Sequence, residues 1–273
     1  MVHGDTLLRN LLERGLTVFS IDEARSAIEH DNISAASIPG LLMRLERQRR
    51  VSRIRRGLYA MAGSSHGMAS IHPFAIAVHL VRPSAISHWS ALHYHGLTEQ
   101  VPRIVTASTP TKVVTPEMRM ASKPDGGRKH AWTVQGVRYE FTTVKGQHFF
   151  GVEQVWVDEN NRVPITDRER TVLELFVSPR VFGGIGEGIG VLDQHLTSLS
   201  VQKLVRYALQ HGTISAAKRL GWALEEAGAD SQDLEPLADV HSTGYHLLDP
   251  SGPRSGTRVR KWMIQNNLQT RLD

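Results

Sequence analysis

The stretch that decides the fold runs from Ser37 to Met61 and reads SIPGLLMRLERQRRVSRIRRGLYAM. Four apolar residues recur in it at the i, i+3, i+4 and i+7 spacing of a buried helix face: Ile38, Leu41, Leu42 and Leu45. Pro39 is compatible with the first turn of this helix because the first N–H groups of a helix have no intrahelical partner. The segment therefore predicts a helix that begins at Ser37 and buries one stripe of its surface.

Two β-prone runs follow this helix and flank Arg55-Arg56-Gly57, where Gly57 can adopt the positive φ that a tight turn needs. They predict a β-hairpin with arginines at its tip. Residues 44–56 include seven arginines and one acid, Glu46, so this segment carries +6 in a chain whose net charge is +5. Such a cluster is typical of a phosphate-binding surface, with a solvated helix face as the alternative.

Two further helices are predicted upstream. The first covers about Asp5–Arg14 and ends at Gly15. The second begins at Ile21, since Ser20 and Glu23 have the spacing of a capping box, and it extends to about His30. Three helices followed by a hairpin predict a winged helix-turn-helix over residues 1–65.

In this arrangement the third helix enters the major groove, and the arginines of the wing lie against phosphates or the minor groove. Winged helices also dock proteins, and the arginine cluster favours DNA over that alternative. The predicted DNA-contacting residues are Ser37, Gly40, Met43, Arg44 and Arg47 on the outer helix face, followed by Arg50, Arg53, Arg55, Arg56 and Gly57.

After a Gly/Ser-rich linker at Gly63–Gly67, residues 66–273 predict a larger mixed α/β domain with a helical C-terminal part, so the whole chain is expected to be α+β. Helices are predicted at His72–Val81, Ser87–Gly96, Asp167–Phe176, Val191–Leu199, Val201–His211 and Ser215–Ala227, and strands near Ile104–Ser108, Ala131–Thr133, Val137–Val144 and Gln154–Val157. The tail, Gly244–Gln265, predicts two strands separated by a loop.

Composition excludes several classes of protein. The chain has no cysteine, which removes disulfides, thiolate zinc sites and a cysteine nucleophile. It has no uninterrupted apolar run of about 18 residues, and its first residues lack the layout of a secretory signal. We therefore expect a cytoplasmic protein that does not contact a membrane and needs no cofactor.

Several ordered blocks resemble the AbiEi family of antitoxins over almost the whole chain. They are RRGLYA at Arg55–Ala60, SHWSALHYHGLTEQVP at Ser87–Pro102, ITDRERTVLELF at Ile165–Phe176, AAKRLGWALEEAG at Ala216–Gly228, and YHLLDP at Tyr245–Pro250 with a later Trp. The residues that match the family blocks are Arg55, Arg56, Gly57 and Tyr59 in the first, Ser90, His95 and Gly96 in the second, and Asp167, Glu169 and Arg170 in the third.

The resemblance implies a DNA-binding antitoxin that represses its own operon and counteracts an AbiEii-like nucleotidyltransferase toxin. It does not indicate which residues would contact the toxin. Without the resemblance, a one-component transcriptional regulator whose large domain senses a small ligand explains the same pattern. The expected operator is double-stranded DNA with paired half-sites.

Catalytic and metal chemistry are not favoured by the sequence. His88, His93 and His95 do not have the i, i+4 spacing that brings two imidazoles to one metal ion. Gly183–Gly190 lacks the Gly-Lys-Ser/Thr ending of a phosphate-binding loop and is expected to be a loop between helices. Asp158–Arg162 predicts an exposed turn, and Asp167 predicts a helix cap rather than a catalytic acid. No enzyme activity is expected.

Overall fold

The computed structural model describes residues 2–29, 37–62, 71–113 and 130–268. The chain divides into two compact units. The first unit contains residues 1–86, 103–144 and 154–165, and the second contains residues 87–102, 145–153 and 166–273. Helices and mixed sheets together make the predicted α+β fold. The linker predicted at Gly63–Gly67, and with it the domain boundary predicted after residue 65, lies outside the described residues.

The N-terminal module, residues 2–29 and 37–62, begins the first unit. Its elements are α1 (Val2–Glu13), β1 (Val18–Ser20), α2 (Ile21–Ala27), α3 (Ile38–Arg47), β2 (Val51–Arg55) and β3 (Leu58–Met61). The three strands form an antiparallel sheet in the order β1-β3-β2. The capping box predicted at the start of α2 is confirmed, since the Ser20 hydroxyl accepts from the Glu23 amide and the Glu23 carboxylate accepts from the Ser20 amide.

The module has its own apolar core. The predicted stripe of α3 is fully or almost fully buried, and it packs with apolar side chains of α1, α2 and the sheet. Residues at the centre of this core are Leu7, Leu11, Phe19, Ile28, Ile38, Leu42 and Leu45. The helical periodicity of the sequence therefore predicts the inner face of α3 correctly.

The rest of the first unit is one helix and a mixed sheet. The helix is α4 (Pro73–Leu80), and the strands are β4 (Ala85–Ile86), β5 (Ile104–Thr109), β6 (His130–Val134), β7 (Val137–Thr143), β8 (Val152–Trp156) and β9 (Arg162–Thr166). Among the described residues, these six strands lie in the order β6-β7-β5-β4-β9-β8. Strand β5 is parallel to β7 and β4 is parallel to β9, while β6–β7 and β4–β5 are antiparallel pairs.

The second unit is mainly helical. Its elements are α5 (His88–Tyr94), α6 (Arg168–Val177), α7 (Gly186–His195), α8 (Val201–His211), α9 (Ile214–Glu226), α10 (Ser231–Ala238), β10 (His246–Leu247), β11 (Thr257–Val259) and β12 (Ile264–Asn266). Its apolar core surrounds α6 and α9 and includes the fully buried Phe176 and Trp262. Gly221 on α9 lies against the Trp262 ring, and a Cβ at this position would come within 2.1 Å of a ring atom.

Three sequence predictions in these regions are wrong. The glycine-rich segment is not only a loop, because Gly186–Gly190 forms the start of α7. Gly188 lets α7 pack closely against the Phe176 ring, since a Cβ at this position would lie 3.0 Å from the ring. The tail contains three short strands rather than two, because a turn with Met263 at φ +50° separates β11 from β12. In the turn after β8, Asn161 is buried rather than exposed, and its side chain donates to the Asp158 carboxylate.

Candidate nucleic-acid interface

Every residue of α3 and its N-cap that the sequence predicts to face DNA is exposed on the outer face of the helix. Ser37, Gly40, Met43, Arg44 and Arg47 are all exposed, and 52% of the Met43 surface is accessible. These positions lie opposite the buried stripe because the two sets are offset around the 3.6-residue helical turn. The helix therefore offers solvent a surface with two arginines, one large apolar side chain and one glycine.

The hairpin of β2 and β3 carries the other predicted arginines. Arg53, Arg55 and Arg56 are exposed, and Gly57 closes the turn with φ +79°. Within the tip, the Arg55 guanidinium donates to the Arg56 carbonyl over 3.4 Å. The register of β2 against β3 shifts between Arg53 and Arg55, and such a bulge increases the local twist of a hairpin. The register shift therefore lies directly between the base of the hairpin and its arginine tip.

The arginines of this cluster differ in their partners. Arg50 is half-buried and forms an ion pair with Asp5 of α1 over 2.6 Å. Within the described residues, no carboxylate lies at ion-pair distance from Arg44, Arg47, Arg53 or Arg56. The charges of these four guanidinium groups are therefore available to an external anion, whereas Arg50 also fastens α1 to the loop after α3.

The second block that matches the antitoxin family lies on α5 in the second unit. Ser90 is buried, and Gly96 ends the helix with φ +66°, as predicted. His95 places Nε2 2.7 Å from the Thr166 carbonyl, which fixes Nε2 as the donor. Burial lowers the pKa of His95 below its ordinary value, and this hydrogen bond only partly opposes the effect. The His95 bond therefore ties the end of α5 to Thr166.

The third block surrounds the start of α6. The Asp167 carboxylate caps the helix by accepting from the Arg170 amide at 2.9 Å, which confirms the predicted cap. The same carboxylate accepts from the Tyr207 hydroxyl at 2.7 Å, and Lys203 lies 3.3 Å away. Tyr207 and Lys203 were not predicted from the sequence, because both stand on α8, more than 30 residues away along the chain.

Glu169 completes this cluster by pairing with Lys203 over 2.8 Å and accepting from the Ser200 amide. Burial opposes ionisation of Glu169, but these donors outweigh burial and its pKa lies below the ordinary value. Burial also opposes the charge of Lys203, and its two carboxylate partners raise its pKa nonetheless. The carboxylates of Asp167 and Glu169 are therefore occupied in joining α6 to α8.

Within the described ranges, no group of three or more histidine, aspartate or glutamate side chains is placed to hold a metal ion. None of the helices described is long and apolar enough to cross a membrane.

Comparison with known proteins shows the fold but no function. No protein-family model and no curated protein matches the sequence. A solved structure with a similar fold is the crystal structure of the RV2827C protein from Mycobacterium tuberculosis, with a TM-score of 0.61 and 12% sequence identity. The similarity covers 97% of this chain and 91% of that chain, so the α+β architecture is shared over nearly the full length of both.

Proposed function

We propose that the N-terminal module is a winged helix-turn-helix that binds duplex DNA, and that the chain is an antitoxin which represses its own operon. In this proposal α3 is the recognition helix and the β2–β3 hairpin is the wing. The outer residues of α3 lie along the major groove, where a helix of this size fits, and the wing arginines contact phosphates.

The observation that carries the proposal is the exposed arginine surface of α3 and the hairpin. Arg44 and Arg47 stand on the outer helix face, and Arg53, Arg55 and Arg56 stand on the hairpin. A surface formed only for solubility would mix both signs of charge, but Glu46 is the one acid between Arg44 and Arg56. A concentrated positive surface on a helix and an adjacent hairpin matches the electrostatic footprint of a DNA-binding module.

The experiment compares binding of the full chain to DNA from upstream of its own gene and to random duplex of equal length. We expect Arg55→Ala/Arg56→Ala to weaken binding to both and to lower the salt slope by roughly 0.9 for each phosphate that the variant no longer neutralises. A matched control, Arg103→Ala/Arg254→Ala, removes the same charge from two exposed positions outside the module and should bind as the wild type does. Unchanged binding by the Arg55/Arg56 variant would refute the proposal.

The antitoxin part of the proposal is supported by the resemblance of the sequence to the AbiEi family. The partner it implies is an AbiEii-like nucleotidyltransferase toxin encoded beside this chain. Co-expression with the neighbouring gene tests it: rescue of growth and co-purification are expected, and failure of rescue by a folded chain would exclude neutralisation of that protein.

One feature of the second unit favours an alternative function, a one-component regulator that senses a small ligand. An open pocket of about 380 Å³ lies between the turn after α5 and one side of α7. It is lined by Leu97, Thr98, Glu99, Gln100, Gly186, Glu187, Gly190, Val191 and Gln194. Operator binding without any growth rescue would favour this regulator over the antitoxin.

A further inference from the structure

Two turns of the six-stranded sheet contact the two opposite edges of the three-stranded sheet of the N-terminal module. At one edge, Thr17 immediately before β1 donates from its hydroxyl to the side-chain oxygen of Asn161, in the turn between β8 and β9. At the other edge, the Gln135 side-chain amide donates to the Ser52 hydroxyl of β2 over 2.9 Å. Gln135 belongs to the turn between β6 and β7, and β6 and β8 are the outermost strands in the order of the larger sheet.

Gln135 reaches Ser52 from an unusual backbone position. The β6–β7 turn has two residues, since Val134 pairs with Val137, and both have positive φ: +50° for Gln135 and +79° for Gly136. Asn-Gly is the favoured pair in such a turn, because asparagine tolerates the left-handed region better than longer side chains do. Glutamine is therefore a poor local choice for the turn, but its additional methylene extends the amide to β2.

The contact point on β2 lies at the base of the hairpin that carries the arginine tip. Ser52 pairs with Ala60, and the register shift of β2 begins directly after the next residue, Arg53. Strand β2 is the outer strand of its sheet, so its backbone pairs with β3 alone within that sheet, and the bond from Gln135 to the Ser52 side chain is an additional restraint on it. A hydrogen bond at this point restrains the strand just before the bulge that directs Arg55 and Arg56.

We propose that Gln135 is a positioning residue for the wing: from the β6–β7 turn it holds β2 through Ser52 and so fixes the direction of the arginine tip relative to α3. The inference rests on the proposed DNA-binding function, and it assigns a part of that function to the larger sheet. Gln135 acts through Ser52 and makes no contact with DNA itself.

The test is a double-mutant cycle in the full chain, with Gln135→Asn and Ser52→Ala, measured by affinity for the upstream DNA at several salt concentrations. Gln135→Asn suits the turn better than the native residue but is too short to reach Ser52. We expect each single variant to bind about three- to tenfold more weakly, which is the effect of removing one hydrogen bond, and the double variant to bind no more weakly than either. The salt slope should stay at the wild-type value, and the melting temperature should fall only slightly, because a single exposed hydrogen bond is lost. Gln210→Asn, at an exposed position of α8 in the second unit, serves as the matched control.

Wild-type affinity of Gln135→Asn, or multiplied losses in the double variant, would overturn the positioning role while leaving the DNA-binding proposal intact. A reduced salt slope in Gln135→Asn would also overturn it, because that result requires a direct phosphate contact. Failure of the wild-type chain to bind DNA would refute the proposed function itself, so the two failures are distinguishable.

Discussion

Basic side chains are used in contrasting ways by the N-terminal module and the second unit. In the module, Arg44, Arg47 and Arg53 are exposed, and no described carboxylate pairs with them. In the second unit, Lys218 is 1% exposed and donates to the carbonyls of Leu237 and Ala238 at the end of α10. Arg219 is buried beside it and donates to the Leu247 carbonyl over 3.0 Å.

The contrast separates cations that build the fold from cations available to a partner. A buried cation loses its hydration and is stable only where fixed acceptors replace the water. An exposed cation keeps its hydration and exchanges it for the phosphates of a ligand when one arrives. Truncation of a buried basic residue in the second unit should therefore affect stability, and truncation of an exposed arginine in the module should affect binding.

The largest effect is expected on the free energy of unfolding when the buried cation of Arg170 is removed. Its guanidinium lies 3.3 Å from the buried Glu174 carboxylate, donates to the His148 carbonyl and stacks on the Phe150 ring. Arg170→Met leaves Glu174 buried without its cation, so we expect a loss of about 3–5 kcal/mol in the free energy of unfolding by urea.

Two variants check the origin of that loss. Arg206→Met removes an exposed arginine of α8 and should lose less than about 0.5 kcal/mol. Adding Glu174→Leu to Arg170→Met removes the uncompensated charge and should recover part of the stability. A loss below about 1 kcal/mol in Arg170→Met would mean that water reaches Glu174.

The next effect concerns an imidazole of the same region that stays uncharged. Burial, together with the neighbouring His148 and Arg170, lowers the pKa of His211 to about 4. The unfolded chain binds this proton near pH 6.5, so stability is lost as the pH falls from 6.5 towards 4. We expect His211 to contribute a loss of about 2 kcal/mol between pH 7 and pH 5.

The difference between wild type and His211→Gln isolates this contribution. Urea unfolding of the variant at pH 7 and pH 5 should show a correspondingly smaller pH dependence than that of the wild type. Parallel pH profiles of stability for wild type and His211→Gln would contradict this prediction, because they would mean that His211 binds its proton equally well in the folded and the unfolded chain.

In the module, Arg44 should affect recognition rather than stability. It lies on the outer face of α3, one turn from Gly40, where a side chain can reach base edges. If it forms a bidentate contact with guanine, Arg44→Ala loses about 1–3 kcal/mol at that base pair and little at the others. Binding to a set of single-base operator variants measures this, and a uniform loss across the set would make Arg44 a phosphate contact.

The smallest effect is expected at Arg50, the member of the cluster that has an internal partner. Its ion pair with the exposed Asp5 contributes at most about 1 kcal/mol to stability. Arg50→Ala should therefore weaken DNA binding less than Arg47→Ala does and should lower the melting temperature slightly. Equal losses of affinity in the two variants would mean that Arg50 contributes as much to DNA binding as Arg47 does, despite its ion pair with Asp5.

Local signals predict much of this fold because they depend on neighbouring residues. The α3 stripe, the capping box at Ser20 and the cap at Asp167 each follow from spacing within one or two helical turns. The α10 helix was not predicted, since Pro236 interrupts its pattern. Strands β1 and β4 were also missed, because two or three residues show no periodicity and their pairing comes from distant strands.

In the candidate DNA surface, too, some features follow from neighbouring residues and others depend on residues far apart in the chain. The outer residues of α3 and the hairpin arginines follow from a periodic pattern, and the structure has them exposed. The partners of charged side chains do not follow from a pattern: Arg50 meets Asp5 of α1, and Lys203 meets Glu169. Contacts between residues tens of positions apart depend on packing, which a single sequence does not specify.

The hydrogen bond between Thr17 and Asn161 bears on folding during synthesis, because 144 positions separate the two residues along the chain. Ribosomes add about 5–20 residues per second, so Asn161 is made roughly 7 to 29 s after Thr17. Within that interval the N-terminal helices can collapse on their local contacts, which form in microseconds. Until residue 161 is made, the Thr17 hydroxyl has no Asn161 to bond, so this contact joins the module to the β8–β9 turn only after the local contacts of the module have formed.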